Sequence, residues 1–156
     1  MRIIKATIDD SEDILRLQKL AYQSEAKIYN DFSIPPLHET LEDINKDFSY
    51  KTFLKVIIDD KIVASVRVYQ EDNTCYIGKL NVHPKHQDQG IGTMLLQAIE
   101  SFFPNVKKYE LFTGEKSEKN LYIYQKLGYK VFKTEPLSEK INLKYLNKKN
   151  INSKLN

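Results

Sequence analysis

The chain has 156 residues, 41% of them hydrophobic and 29% charged, the balance of a single globular domain able to bury its own core. Its one cysteine, Cys75, excludes an internal disulfide. Three histidines without tight His/Cys spacing argue against structural zinc, and no apolar run approaches the roughly 20 residues that span a bilayer. The net charge of +3 resolves into a basic segment at residues 139–156, a body of −1 over residues 1–138 and a first third of −3 over residues 1–52, which argues against a polyanion-reading face.

Residues 1–5 are a short apolar run fit for a strand. The sequence MRIIKATIDD turns acidic too soon for a secretory signal, so a cytoplasmic chain is expected. Asp9, Asp10 and Ser11 offer a helix cap and an acidic first turn, and Ile14, Leu17, Leu20 and Ala21 then recur with helical period toward Ile28. Ile34-Pro35-Pro36 is expected to end that helix, and residues 37–48 to form a second. Residues 53–58, 62–69 and 74–82 read as strands, joined by turns at Asp59-Asp60-Lys61 and Asp72-Asn73, which predicts an antiparallel meander. Residues 90–103 carry the strongest helical pattern, apolar at Ile91, Met94, Leu95, Ala98, Ile99 and Phe102. A strand at 106–113, a helix at 115–127 stopped by Gly128, and strands at 129–133 and 140–145 complete the set. The expected fold class is α/β, with a mixed, mostly antiparallel central sheet and flanking helices. One domain over residues 1–146 is followed by an Asn/Lys-rich tail over 147–156, expected to fray.

Two stretches carry chemistry. Gln87-Asp88-Gln89-Gly90-Ile91-Gly92-Thr93 follows a strand and opens a helix, where glycines allow close approach and free N–H groups face an anion. It is neither a Walker loop nor a dinucleotide fingerprint. Phosphate binding and a plain glycine-bearing helix start both remain open on these residues alone. In the second stretch, Asn120 and Tyr124 share a helix face at i and i+4; core packing and chemistry are both open for this tyrosine. Cys75, in a strand with no histidine beside it, reads as an inert buried thiol.

Leu80-Asn81-Val82-His83-Pro84 followed by Gln87-x-x-Gly90-x-Gly92 resembles the acyl-CoA-binding motif of the GNAT superfamily of N-acetyltransferases. Asn120-x-x-x-Tyr124-x-Lys126-x-Gly128-Tyr129 resembles that family's later motif, with Tyr129 where phenylalanine is commoner. The resemblance spans roughly residues 2–145 and implies a GNAT-like acyl-CoA N-acyltransferase fold. It implies transfer of acetyl from acetyl-CoA, without a metal, to a primary amine of a small molecule or peptide by direct attack in a ternary complex.

The resemblance also implies that the strand at 74–82 splays from the one at 109–113, with the pantetheine arm in the V between them. Leu80 and Val82 then offer main-chain groups to the cofactor. The N–H groups of Gln87, Asp88, Gln89, Gly90, Ile91 and Gly92 hold its pyrophosphate, Thr93 adds a hydroxyl, Asn120 contacts the arm and Lys126 lies near the phosphates. The Val82 N–H is the implied donor to the developing oxyanion, and Tyr124 matches the family's general acid.

The general base is not legible, since the strand at 76–81 has no carboxylate. Glu25 and Tyr29 on the first helix are the candidate acceptor-binding residues. Glu25 is also a candidate base, beside its reading as a solvated helix glutamate. The acidic first third favours a cationic acceptor. A homodimer paired along the 140–145 strand is an expectation; nucleic-acid and membrane partners are not expected. A CoA-binding sensor or interaction module with little catalysis is the alternative.

Overall fold

The computed structural model describes residues 1–152. Its strands are β1 (Arg2–Lys5), β2 (Thr52–Ile58), β3 (Lys61–Glu71), β4 (Thr74–Val82), β5 (Lys108–Gly114), β6 (Lys130–Pro136) and β7 (Asn142–Lys149). They form one seven-stranded sheet in the order β1-β2-β3-β4-β5-β7-β6. Every pair is antiparallel except β4 with β5. Two-residue turns set the register of the first half. Asp59, Asp60, Asp72 and Asn73 have φ of 52, 61, 50 and 63, the left-handed twist that tight hairpins need and that Asp and Asn tolerate.

The helices are α1 (Ser11–Tyr29), α2 (Pro35–His38), α3 (Leu41–Phe48), α4 (Ile91–Phe102) and α5 (Glu118–Lys126). Several boundaries differ from the sequence expectation, each for a local reason. α1 ends before the prolines, at Asn30 with φ 49. Pro35 and Pro36 begin α2, because a first-turn residue has no intrahelical use for its N–H. The helix expected at 37–48 is two helices. Glu39 is extended, and a capping box between Thr40 and Asp43 starts α3 afresh. Residues 115–117 form a turn, so α5 starts late, at Glu118.

The expected tail is also corrected. β7 runs to Lys149, pairing with Lys108, and Asn150 Nδ2 donates to the carbonyls of Pro104 (3.0 Å) and Val106 (2.8 Å). Residues 147–150 therefore belong to the domain; residues 153–156 of that tail lie outside the described residues. The 140–145 stretch contributes to β7, which lies between β5 and β6 with both sides paired. The edges of the sheet are β1 and β6, and β6 is exposed along its whole length.

Alternation along the strands sends side chains to two faces. One carries Leu54, Val56, Val66, Val68, Cys75 and Ile77, buried against Ile91, Leu95, Leu96 and Ile99 of α4 and against Tyr124 of α5. Leu96 joins this core, whereas Phe102, expected there, is 41% exposed. The other face is covered by α1 to α3 through smaller clusters, one of them Ile14, Ile44 and Phe53.

Candidate active site

β4 and β5 pair only where Thr74, Cys75 and Tyr76 meet Lys108, Tyr109 and Glu110. Beyond that point the strands part. β4 also carries one extra residue there. Arg67 pairs with Gly78 and Ser65 with Asn81, so three steps along β4 answer two along β3. Lys79 takes up the surplus with φ 48, making a β-bulge, a feature that bends a strand and re-aims its groups. Asn81, 4% exposed, fastens the bulge. Its Nδ2 donates to the Lys79 carbonyl at 3.0 Å and its Oδ1 accepts from Ser65 Oγ at 3.2 Å.

The direction of the Val82 N–H follows from this register. His83 N donates to Val63 O at 2.8 Å, which makes Ala64 and Val82 a non-hydrogen-bonded pair. Both main-chain groups of Val82 therefore point away from β3, into the V. Its carbonyl accepts from Gln87 Nε2 at 3.0 Å, which leaves the N–H facing the gap.

From β4 the chain passes through a single turn at Pro84–His86 and Asp88 at φ 61, into Gly90 at φ 81. Gly90 caps α4 in the left-handed region that a side chain would strain. The first intrahelical bond runs from Met94 N to Gly90 O at 3.0 Å. The N–H groups of Ile91, Gly92 and Thr93 are thus left at the positive end of the helix dipole. Leu80 Cδ2 lies 3.9 Å from where a Gly92 Cβ would stand, so strand and helix start face one another. Asp88, Gln89 and Gly90 are exposed around them. The expected cofactor residues between Leu80 and Thr93 thus converge on one helix start.

On α5, Tyr124 is 6% exposed. Burial, then Tyr22 and Glu25, push its phenol far above the ordinary tyrosine range. Asn120 Nδ2 donates to Thr113 Oγ1 at 3.3 Å. Lys126 lies at the other end of α5 from Asn120. It sits at the last turn with its Nζ 5.9 Å from the centre of the exposed Tyr122 ring. The α5 lysine that reaches the glycine loop is Lys119, with Nζ 3.4 Å from Asp88 Oδ2. Seven residues separate the two lysines, about 10 Å along the helix axis.

Tyr22, Glu25 and Tyr29 share one stripe of α1. Glu25 is not a solvated helix glutamate: it is half-buried and its Oε2 accepts from Ser117 Oγ at 2.6 Å, tying α1 to the start of α5. Tyr29 is buried, and its hydroxyl accepts from Lys116 N at 2.8 Å. A Cβ on Gly114 would overlap that phenol. Tyr29 thus serves as a tether, its oxygen already committed. Burial, then Glu25, pushes Tyr22 up to about 12, against the pull of Arg67.

Part of the acidic first third is consumed in ion pairs and caps, while Asp9, Glu12, Asp13, Glu42 and Asp43 stay exposed. Glu39 holds Arg67 at 2.8 Å and Lys79 as well; Asp47 holds Arg67 at 2.9 Å and Lys51 at 3.3 Å; Asp10 holds Lys55 at 2.7 Å. Asp43 caps α3, and Asp31 accepts from Ser33. Sequence reasoning missed Tyr22, Arg67, Lys79, Asn81 and Ser117. Two carried a signal: Arg67 and Asn81 are polar residues inside apolar strands. The expected inertness of Cys75 fits its environment, since burial pushes the thiol up to about 12. Among the described residues, no three His, Cys, Asp or Glu side chains gather as a metal site, and no helix is long and apolar enough to cross a membrane.

Comparison with known proteins agrees with this geometry. The family model described as "Acetyltransferase (GNAT) family" matches residues 12–129. The fold is similar to that of the PaiA N-acetyltransferase of Thermoplasma acidophilum in complex with coenzyme A, at 17% identity and a TM-score of 0.79 over 95% of this chain and 98% of that one. It is also similar to the ribosomal-protein-S18-alanine N-acetyltransferase of Escherichia coli, at 13% identity and 0.81 over 99% and 96%. The protein smu.2055 of Streptococcus mutans matches at 18% identity and 0.82 over 96% and 99%.

Proposed function

The chain belongs to the GNAT family of acetyltransferases, and we propose that it moves the acetyl group of acetyl-CoA to a primary amine of a small molecule or peptide, by direct attack within a ternary complex. The observation that carries this reading is the parted β4–β5 pair with the Val82 N–H turned into the gap. The residues fit the acyl-CoA. A strand edge without a partner past Tyr76 suits an amide-bearing arm, and the unpaired N–H groups at the start of α4 suit a pyrophosphate. When bound, acetyl-CoA supplies the acyl group as an activated thioester.

Val82 donates its N–H to the thioester oxygen as charge builds there. It is held in advance by the β3 pairing, by Gln87 on its carbonyl and by the Asn81-fastened bulge, so nothing reorganises at the moment of reaction. Tyr124 keeps its proton through the neutral range. Burial thus holds Tyr124 in its protonated form, from which it donates toward the departing sulfur as the C–S bond breaks. Glu25, held by Ser117, takes the proton of the attacking amine.

Thiol release from acetyl-CoA across a panel of amines, beside calorimetric binding of acetyl-CoA, tests the proposal. Amine-dependent release is the expected result. Binding without turnover across the panel contradicts it and supports a sensor or interaction module.

A further inference from the structure

Gly78 is a mid-strand glycine that neither backbone nor packing demands. Its φ is outside the left-handed region; Lys79 beside it takes the bulge conformation instead. A Cβ built on it meets no atom within 4 Å. A strand interior loses stability by carrying glycine, which marks a bulge, a bend or a place where a ligand approaches the backbone closely; here the left-handed bulge position falls on Lys79, not on the glycine. The positions around it on the α1-facing side are filled. Tyr76 stacks on Tyr69 with ring centres 5.0 Å apart, Asn81 is bonded to Ser65, and Arg67, its partner on β3, is bonded to Gln18, Glu39 and Asp47. Gly78 is therefore a half-buried gap in an otherwise occupied row. It lies where β4 has lost its β5 partner, beneath the helix that carries Tyr22 and Glu25.

We propose that this gap is the slot for the acceptor's carbon skeleton, and that Gly78 is the residue that sets the acceptor's bulk. The inference rests on the acetyl-transfer reading and adds what limits the acceptor. The charges bordering the slot, Arg67 and Lys79, are engaged by Glu39 and Asp47, and the Tyr76 ring, stacked on Tyr69, stands two residues along the same strand face. The slot therefore favours a primary amine carried on a bulky apolar group over a small or polyanionic one.

Gly78→Val tests this, with phenethylamine and ethylamine as acceptors. The wild-type protein should prefer phenethylamine. In the variant, kcat/KM for phenethylamine should fall roughly tenfold or more while that for ethylamine holds, with Gly78→Ala between the two. The thermal midpoint should hold or rise, and acetyl-CoA affinity by calorimetry should be unchanged. Equal loss with both amines, weakened acetyl-CoA binding, a wild-type preference for ethylamine, or a lowered midpoint in both variants would each overturn the slot. A wild-type protein that acetylates no amine overturns the transfer reading instead, and the Gly78 variants cannot produce that result.

Discussion

The two faces of the sheet are held by different physics. On the α4–α5 face, hydrocarbon meets hydrocarbon: Leu95, Leu96 and Ile99 pack on Leu54, Val66 and Val68. On the α1–α3 face the centre is a buried cation, Arg67, stacked 4.6 Å from the Phe53 ring centre and bonded to Gln18, Glu39 and Asp47. The dry face fixes backbone positions, including the start of α4. The polar face joins segments far apart in sequence and shapes the ground above Gly78. Each face should therefore fail in its own way, by an orphaned charge on one side and by a cavity on the other.

Glu39→Ala should have the largest effect. It strips Lys79 of its partner and Arg67 of one, at a carboxylate 8% exposed, and should cost about 3–5 kcal/mol in denaturant unfolding. A cost below about 1 kcal/mol would mean that the network behaves as a surface pair. Leu95→Ala should cost about 2–5 kcal/mol through the void it leaves. Its cost should not vary with salt; a salt-dependent loss would blur the distinction between the faces. Asn81→Ala should cost about 1–3 kcal/mol by freeing the Lys79 carbonyl and Ser65 hydroxyl. It should lower kcat more than it raises the acceptor KM, since it loosens the donor rather than the slot; an effect on KM alone would contradict that.

An effect confined to alkaline pH involves both faces. Burial pushes Tyr22 and Tyr109 up to about 12, and Tyr124 and Tyr129 further. An unfolded tyrosine loses its proton near 10, so the contribution of these protonated phenols is complete below that value. Between about 10 and 12 the unfolded chain sheds protons that the folded chain keeps, and stability should fall as pH rises. A thermal midpoint constant across that window would contradict this.

The dry face was largely legible in the sequence. Helical period marked α4, and Asp-Asp and Asp-Asn marked the hairpins, because those signals lie within a few residues of one another. The glycine loop and Tyr124 were reached through a resemblance that periodicity alone could not supply. The polar face was opaque, because its partners are far apart: Gln18, Glu39 and Asp47 meet Arg67 across 49, 28 and 20 residues. Counting acids in the first third overstated the free acidic surface, since a count cannot tell a paired carboxylate from a free one. The bulge at Lys79 was hidden too, because a lysine in the left-handed region gives no signal that a glycine would. Lys126 was reached through its place in a motif, whereas the pairing of Lys119 with Asp88 gave no sequence signal.

Tyr124→Phe, assayed by steady-state thiol release beside acetyl-CoA calorimetry, tests the central claim most directly. The substitution keeps the ring that fills the core and removes only the hydroxyl. Turnover should fall on the order of 10²-fold with acetyl-CoA affinity unchanged. Unchanged turnover would contradict the account, leaving Tyr124 as one more packed ring on the dry face.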